Sequence, residues 1–99
     1  MTRRLPAPAE HSPKVTSALK LGELVRSARG RAQMRIDDAA AVSGVSVDLL
    51  SRLERGRPVT SDKLLAVLSS LGLSVLVVDQ VQASRIERIL TENQPPQHG

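Results

Sequence analysis

Apolar residues recur at helical spacing through most of the chain. Leu21, Leu24, Val25, Ala28 and Ala32 fall on one narrow stripe, which predicts a first helix from about Ser17 to Ala32. Arg26 and Arg29 lie to one side of that stripe, and Gly30 favours an earlier end. A second helix is predicted from Ile36 to about Ser43, with Asp37 and Asp38 suited to its positive N-terminus. Its three consecutive alanines, Ala39 to Ala41, permit close helix approach. Gly44 then supplies a stop and Val45 turns back into the core. Ser46 is a good N-cap for a third helix that places Val47, Leu49, Leu50 and Leu53 inward and ends before Gly56. Thr60 or Ser61 opens a fourth, which carries Leu64, Leu65, Val67, Leu68 and Leu71 and closes at Gly72.

After Gly72 the pattern changes. Leu73 to Asp79 holds three valines and two leucines in seven residues, a β-prone run too short for a helix. A lone strand leaves its backbone groups unpaired. Two readings stand: an extended segment packed on its own core, or Leu73, Val75, Leu76, Val77 and Val78 pairing with the same strand of a second subunit. Ile86, Ile89 and Leu90 then repeat at helical spacing and predict a short helix over Ala83 to Leu90. The two ends carry proline without apolar periodicity, so residues 1–16 read as a flexible basic arm and the last residues as a flexible tail. The domain proper is then 17–79, with 80–99 as short helix and tail.

Composition narrows the picture. The chain has 99 residues and no Phe, Tyr or Trp, so a single modest core must be built from Leu, Val, Ile and Ala. Small cores of this kind often gain stability by dimerising. There is no cysteine, which removes disulfides and thiolate metal sites and suits a reducing cytoplasm. No apolar run approaches a membrane span, and the start lacks the apolar stretch of a signal peptide. The net charge of +4 is unevenly spread. Residues 20–35 carry five basic side chains against one acidic, whereas everything beyond residue 35 is slightly acidic. The excess therefore sits on the arm and the first helix. It is either a solvated tail or the attraction for a polyanion such as DNA.

Two helices joined by a tight glycine turn are the geometry that sets one helix into a major groove. On the third predicted helix, Asp48, Ser51, Arg52 and Arg55 share the face opposite Leu49, Leu50 and Leu53. Arginine reads guanine, and a carboxylate can accept from a cytosine amine. Asp48 is equally placed to hold Arg52 four residues on, and a plain solvated face would also carry such charges. An enzyme finds little support: Asp37 and Asp38 are neighbours about 100° apart on a helix and do not converge. His11 and His98 lie at opposite ends with no second ligand, so neither metal nor cofactor is expected.

Four segments carry a family resemblance, in order: Leu21 to Arg26, Gly44-Val45-Ser46, Leu50 to Gly56, and Leu68 to Leu73. They resemble the Cro/repressor-type (XRE) helix-turn-helix domain. That implies a mainly α, lambda-repressor-like fold of four to five helices. Ile36 to Ala40, Leu53 to Pro58, Asp62 to Leu68 and the run after Leu71-Gly72-Leu73 are most similar to HipB-like antitoxins, a branch that adds one strand pairing across a homodimer. The resemblance implies a homodimeric repressor of its own operon that binds double-stranded operator DNA and a HipA-type serine/threonine kinase toxin. A stand-alone XRE-type regulator is the alternative. It also implies DNA contacts from Ser46, Val47, Asp48, Ser51 and Arg52, and a salt-bridged pair, Arg29 and Glu54, bracing the first helix against the third. Two positions depart from the family pattern. Ile36 stands where Gln is usual, leaving adjacent Arg35 to reach phosphate, and Gln33 replaces the usual turn glycine.

Overall fold

A computed structural model describes residues 12–92 of the chain and contains five helices among them. Helix α1 spans Ala18–Arg31, α2 Ile36–Ser43, α3 Val47–Glu54, α4 Ser61–Ser70 and α5 Gln80–Glu92. Local chemistry starts three of them. The Ser17 hydroxyl accepts from the Lys20 amide at 3.0 Å, and Ser46 accepts from Leu49 at 3.0 Å. Asp79 does the same for α5, taking the Gln82 amide at 2.8 Å. Each satisfies one of the donors that a helix start leaves unpaired.

Helices α1 to α4 all end in one kind of closure. A residue with positive φ follows each helix, and the amide after it bonds back five residues. These bonds are Met34 to Arg29 at 3.1 Å, Val45 to Ala40 at 3.0 Å, Arg57 to Arg52 and Leu73 to Leu68, both at 2.8 Å. Glycine holds the positive-φ position in three cases, but Gln33 holds it after α1, with φ at 58°. The turn into α2 therefore has the same build as the others, and Gln33 adopts a backbone that side chains disfavour.

The core lies where α1, α2, α3 and α4 meet: Val25, Ala39, Ala40, Leu50, Leu53, Val67 and Leu68 are buried together. Helix α1 packs on α3, and α2 on both α3 and α4. Without aromatic side chains, close backbone approach fills the space. Gly22 shows it most directly, since a Cβ there would lie 2.4 Å from the Leu53 carbonyl oxygen and 2.6 Å from that of Glu54. Gly56 returns the favour, its missing Cβ making room for the Leu19 backbone.

Several expectations need correction. No strand occurs among the described residues, and Leu73 to Asp79 has no regular structure. Leu73 alone packs against the core; Val75, Leu76, Val77 and Val78 are exposed, Val77 at 94%. The physical reason is the one that made a lone strand doubtful: no second strand offers it a ladder. The fold is therefore all-helical where described, without the predicted strand. Helix α5 is longer than predicted at both ends, and its earlier start follows from the Asp79 side chain, which caps the Gln82 amide. Helix α1 runs through Gly30, while Ala32 is exposed beyond its end. Val47, expected inward, is exposed, and so is Leu65 among the apolar residues that α4 carries. Residues 1–11 and 93–99, which hold most of the arm and the tail, lie outside the described residues. Those arm residues that are described rest on α5, with Lys14 Nζ donating to the Ser84 hydroxyl at 3.3 Å and Ser12 bonded to Glu87.

Candidate nucleic-acid interface

The α2–α3 corner is set by Gly44. Its left-handed backbone (φ 73°, ψ 28°) ends α2 and sends the chain through half-buried Val45 to the Ser46 cap. Helix α3 is then oriented by Leu50 and Leu53, both fully or almost fully buried. With two anchors on one side, the helical repeat forces Asp48, Arg52 and Arg55 to the other. Asp48 and Arg55 are exposed there and Arg52 and Ser51 are half-exposed. Val47 stands exposed at the α3 N-terminus.

Polar contacts organise this face. Arg52 Nε donates to Asp48 Oδ2 at 3.1 Å, one turn earlier, and Arg52 Nη1 reaches the Pro58 carbonyl at 3.5 Å. The loop contact with Pro58 had no signal in the sequence, because it depends on how the chain leaves α3. Arg55 folds back on its own helix, with Nε donating to the Ser51 carbonyl at 3.3 Å. Arg35, just before α2, is almost wholly exposed and lies 3.5 Å from Asp37. Ile36 packs against the core instead of facing outward, so it offers no polar contact.

Behind the face, Arg29 of α1 grips Glu54 at the end of α3 through two parallel bonds, Nε–Oε2 at 2.7 Å and Nη2–Oε1 at 3.0 Å. Its third nitrogen, Nη1, donates to the Met34 carbonyl at 3.0 Å. One guanidinium thus ties α1, the α1–α2 turn and α3 together. The bond with Glu54 raises the Arg29 pKa still further, against the opposing effect of partial burial. The Glu54 carboxylate is 7% exposed, with both its oxygens engaged by Arg29. Asp37 and Asp38 are exposed in the first turn of α2. No group of three or more His, Asp or Glu that could hold a metal occurs among the described residues; His11 and His98 lie outside them. No described helix is long and apolar enough to cross a membrane.

A short helix, a glycine-closed corner and a second helix with an outward polar face define the helix-turn-helix class. Residues 20–81 match the family model described as a helix-turn-helix domain, and the chain belongs to that family, of the XRE type. It is similar to an uncharacterised helix-turn-helix-type transcriptional regulator, y4mF, of Sinorhizobium fredii, at 34% identity over 76% of this chain and 87% of that protein. Among solved structures it is similar to the clp gene regulator ClgR from C. glutamicum, with 38% identity and a TM-score of 0.56. That match covers 65% of this chain and 83% of the other. A variant of the restriction-modification controller protein C.Esp1396I shares the fold, with a TM-score of 0.54 at 19% identity over 79% of this chain and 94% of that one.

Proposed function

We propose that this chain is a sequence-specific DNA-binding transcriptional regulator that acts as a repressor by setting α3 into the major groove of an operator. The observation that carries it is the α2–Gly44–α3 corner with Asp48, Arg52 and Arg55 turned outward from the buried Leu50 and Leu53. A groove about 12 Å wide admits one helix presented in this way. Ser46, Val47, Asp48, Ser51, Arg52 and Arg55 would meet base edges and nearby phosphates, and exposed Arg35 would meet the backbone. The basic excess on α1 and the arm supplies sequence-independent attraction. The similar proteins named as gene or transcriptional regulators support the same reading. Selection of the protein against a pool of randomised duplexes tests it. One enriched sequence bound well above a scrambled duplex is expected. Equal binding of both refutes sequence-specific regulation.

The active species in this reading is a homodimer in the cytoplasm, joined through the segment holding Leu73, Val75, Leu76, Val77 and Val78. Four of these five side chains are apolar and exposed in the single chain, more than a solvated linker requires. Sedimentation at micromolar concentration should give twice the chain mass, and Val77→Asp should halve it; a monomeric parent ends the idea. The further role of antitoxin to a HipA-type kinase rests on the HipB-like motifs alone. Co-expression with the product of a neighbouring kinase-sized gene should give a stable complex and relieve toxicity. If no such complex forms, the stand-alone regulator is the reading that remains.

A further inference from the structure

Arg52 is partly committed before any ligand arrives. A guanidinium offers two planar two-donor edges, the side edge Nε with Nη2 and the terminal edge Nη1 with Nη2. Asp48 occupies Nε at 3.1 Å, which removes the side edge. The Nη1 contact with the Pro58 carbonyl, at 3.5 Å, sits at the outer limit of a hydrogen bond and yields readily to a better acceptor. What Arg52 presents is therefore its terminal edge. In the major groove, guanine O6 and N7 accept such an edge. Asp48 uses one oxygen on Arg52, and its side chain is 77% exposed. Its second oxygen can only accept, and the groove donors available to it are the exocyclic amines of cytosine and adenine.

We propose, on the reading that α3 enters the groove, that Asp48 is a positioning and specificity-determining residue. It keeps hold of Arg52 through Nε in the complex, so that the terminal edge meets guanine, and its free oxygen reads the amine of a neighbouring base. Holding Nε restricts the long arginine side chain before binding, which lowers the ordering cost of the base contact. It also keeps the guanidinium from wandering to the nearest phosphate, which every sequence offers. The pair therefore contributes discrimination more than affinity. Exposed pairs at this spacing add little to fold stability, so removing Asp48 leaves the domain folded while it tests recognition.

The test is selection on a randomised duplex pool with the parent, Arg52→Ala, Asp48→Ala and Asp48→Glu, followed by competition between selected and single-base-changed duplexes. The parent should enrich guanine at one position, beside a base pair that presents an amine. Arg52→Ala should lower the preference for that guanine roughly ten- to a hundredfold, the range of one bidentate base contact. Asp48→Ala should weaken the same preference about three- to tenfold and flatten the neighbouring position, while affinity for scrambled duplex holds or rises as a negative charge leaves the face. Asp48→Glu should keep the guanine preference, since it restores the pair. The proposal is overturned if Asp48→Ala leaves the preference intact at the position that depends on Arg52, or if that position is not guanine. A parent that enriches no sequence removes the groove-binding reading itself, and this inference with it.

Discussion

Replacing Gly22 with alanine tests the packing that aims α3. The added Cβ would sit 2.4 Å from the Leu53 carbonyl oxygen, 2.6 Å from the Glu54 oxygen and 2.8 Å from the Glu54 carbonyl carbon. All three are backbone atoms, so no rotamer change relieves the contact. Helices α1 and α3 must move apart by about 1 Å to reach ordinary van der Waals distance, and a gap of that size forfeits roughly a quarter to half of each affected contact. The same movement stretches the Arg29–Glu54 bond from 2.7 Å and leaves a buried carboxylate weakly paired. Overpacking of this kind costs about 1–3 kcal/mol, with a contribution of up to about 1 kcal/mol in the other direction from alanine's better helix propensity. A net loss of about 1–2 kcal/mol should lower the melting temperature by about 5–15 °C in a domain of this size. Gly30→Ala is the internal control. It lies in the same helix with nothing within 4 Å of its would-be Cβ, and should raise stability by about 0.5–1 kcal/mol. Thermal unfolding followed by circular dichroism measures both. If Gly22→Ala matches Gly30→Ala, the close approach of α1 to α3 is wrong.

Gln33→Gly should stabilise the protein by about 0.5–1 kcal/mol in denaturant unfolding, because relief of the left-handed strain exceeds glycine's entropic cost. Arg29→Ala should cost about 2–4 kcal/mol in the same assay, since it strands both the Glu54 carboxylate and the Met34 carbonyl. Asp62 is held below its ordinary 3.8, first by the Thr60 side chain and then by the Lys63 amide. Because its folded pKa is depressed, its contribution is present above that ordinary value and is lost as pH falls further. Acid titration of the melting temperature should therefore fall less steeply below about pH 4 in Asp62→Asn than in the parent.

Much of this fold was legible in the chain. Val25 and Ala28 of the first stripe and the anchors Leu50 and Leu53 are core residues in the structure as their spacing implied, and of the three small alanines of α2, Ala39 and Ala40 are buried while Ala41 is exposed. The boundaries of α2 and α3 were also readable, since Gly44, Ser46 and Gly56 are local punctuation whose physics needs no tertiary partner. The valine-rich run after Gly72 misled because β-propensity reports a preference that a single chain cannot satisfy without a second strand. Asp79 caps α5 from the end of an apolar, β-prone run, where the sequence pattern carries no helical period to mark it as a helix start. The outward face of α3 could be drawn on a helical wheel, but a wheel does not say which nitrogen of Arg52 is occupied.

What the sequence determined by itself is therefore local: where helices start and stop, which sides are apolar, and that one polar face follows a glycine corner. Each of these follows from bonds and rotamers within a few residues. Only the tertiary structure decided that Gly22 lets α1 touch the backbone of α3, that the arginine paired with Glu54 also holds the α1–α2 turn through the Met34 carbonyl, and that Gln33 bears a strained backbone in an ordinary closure. Those facts depend on distances between segments far apart in the chain. Such distances are set by the sum of all the packing contacts, which no single stretch of residues encodes.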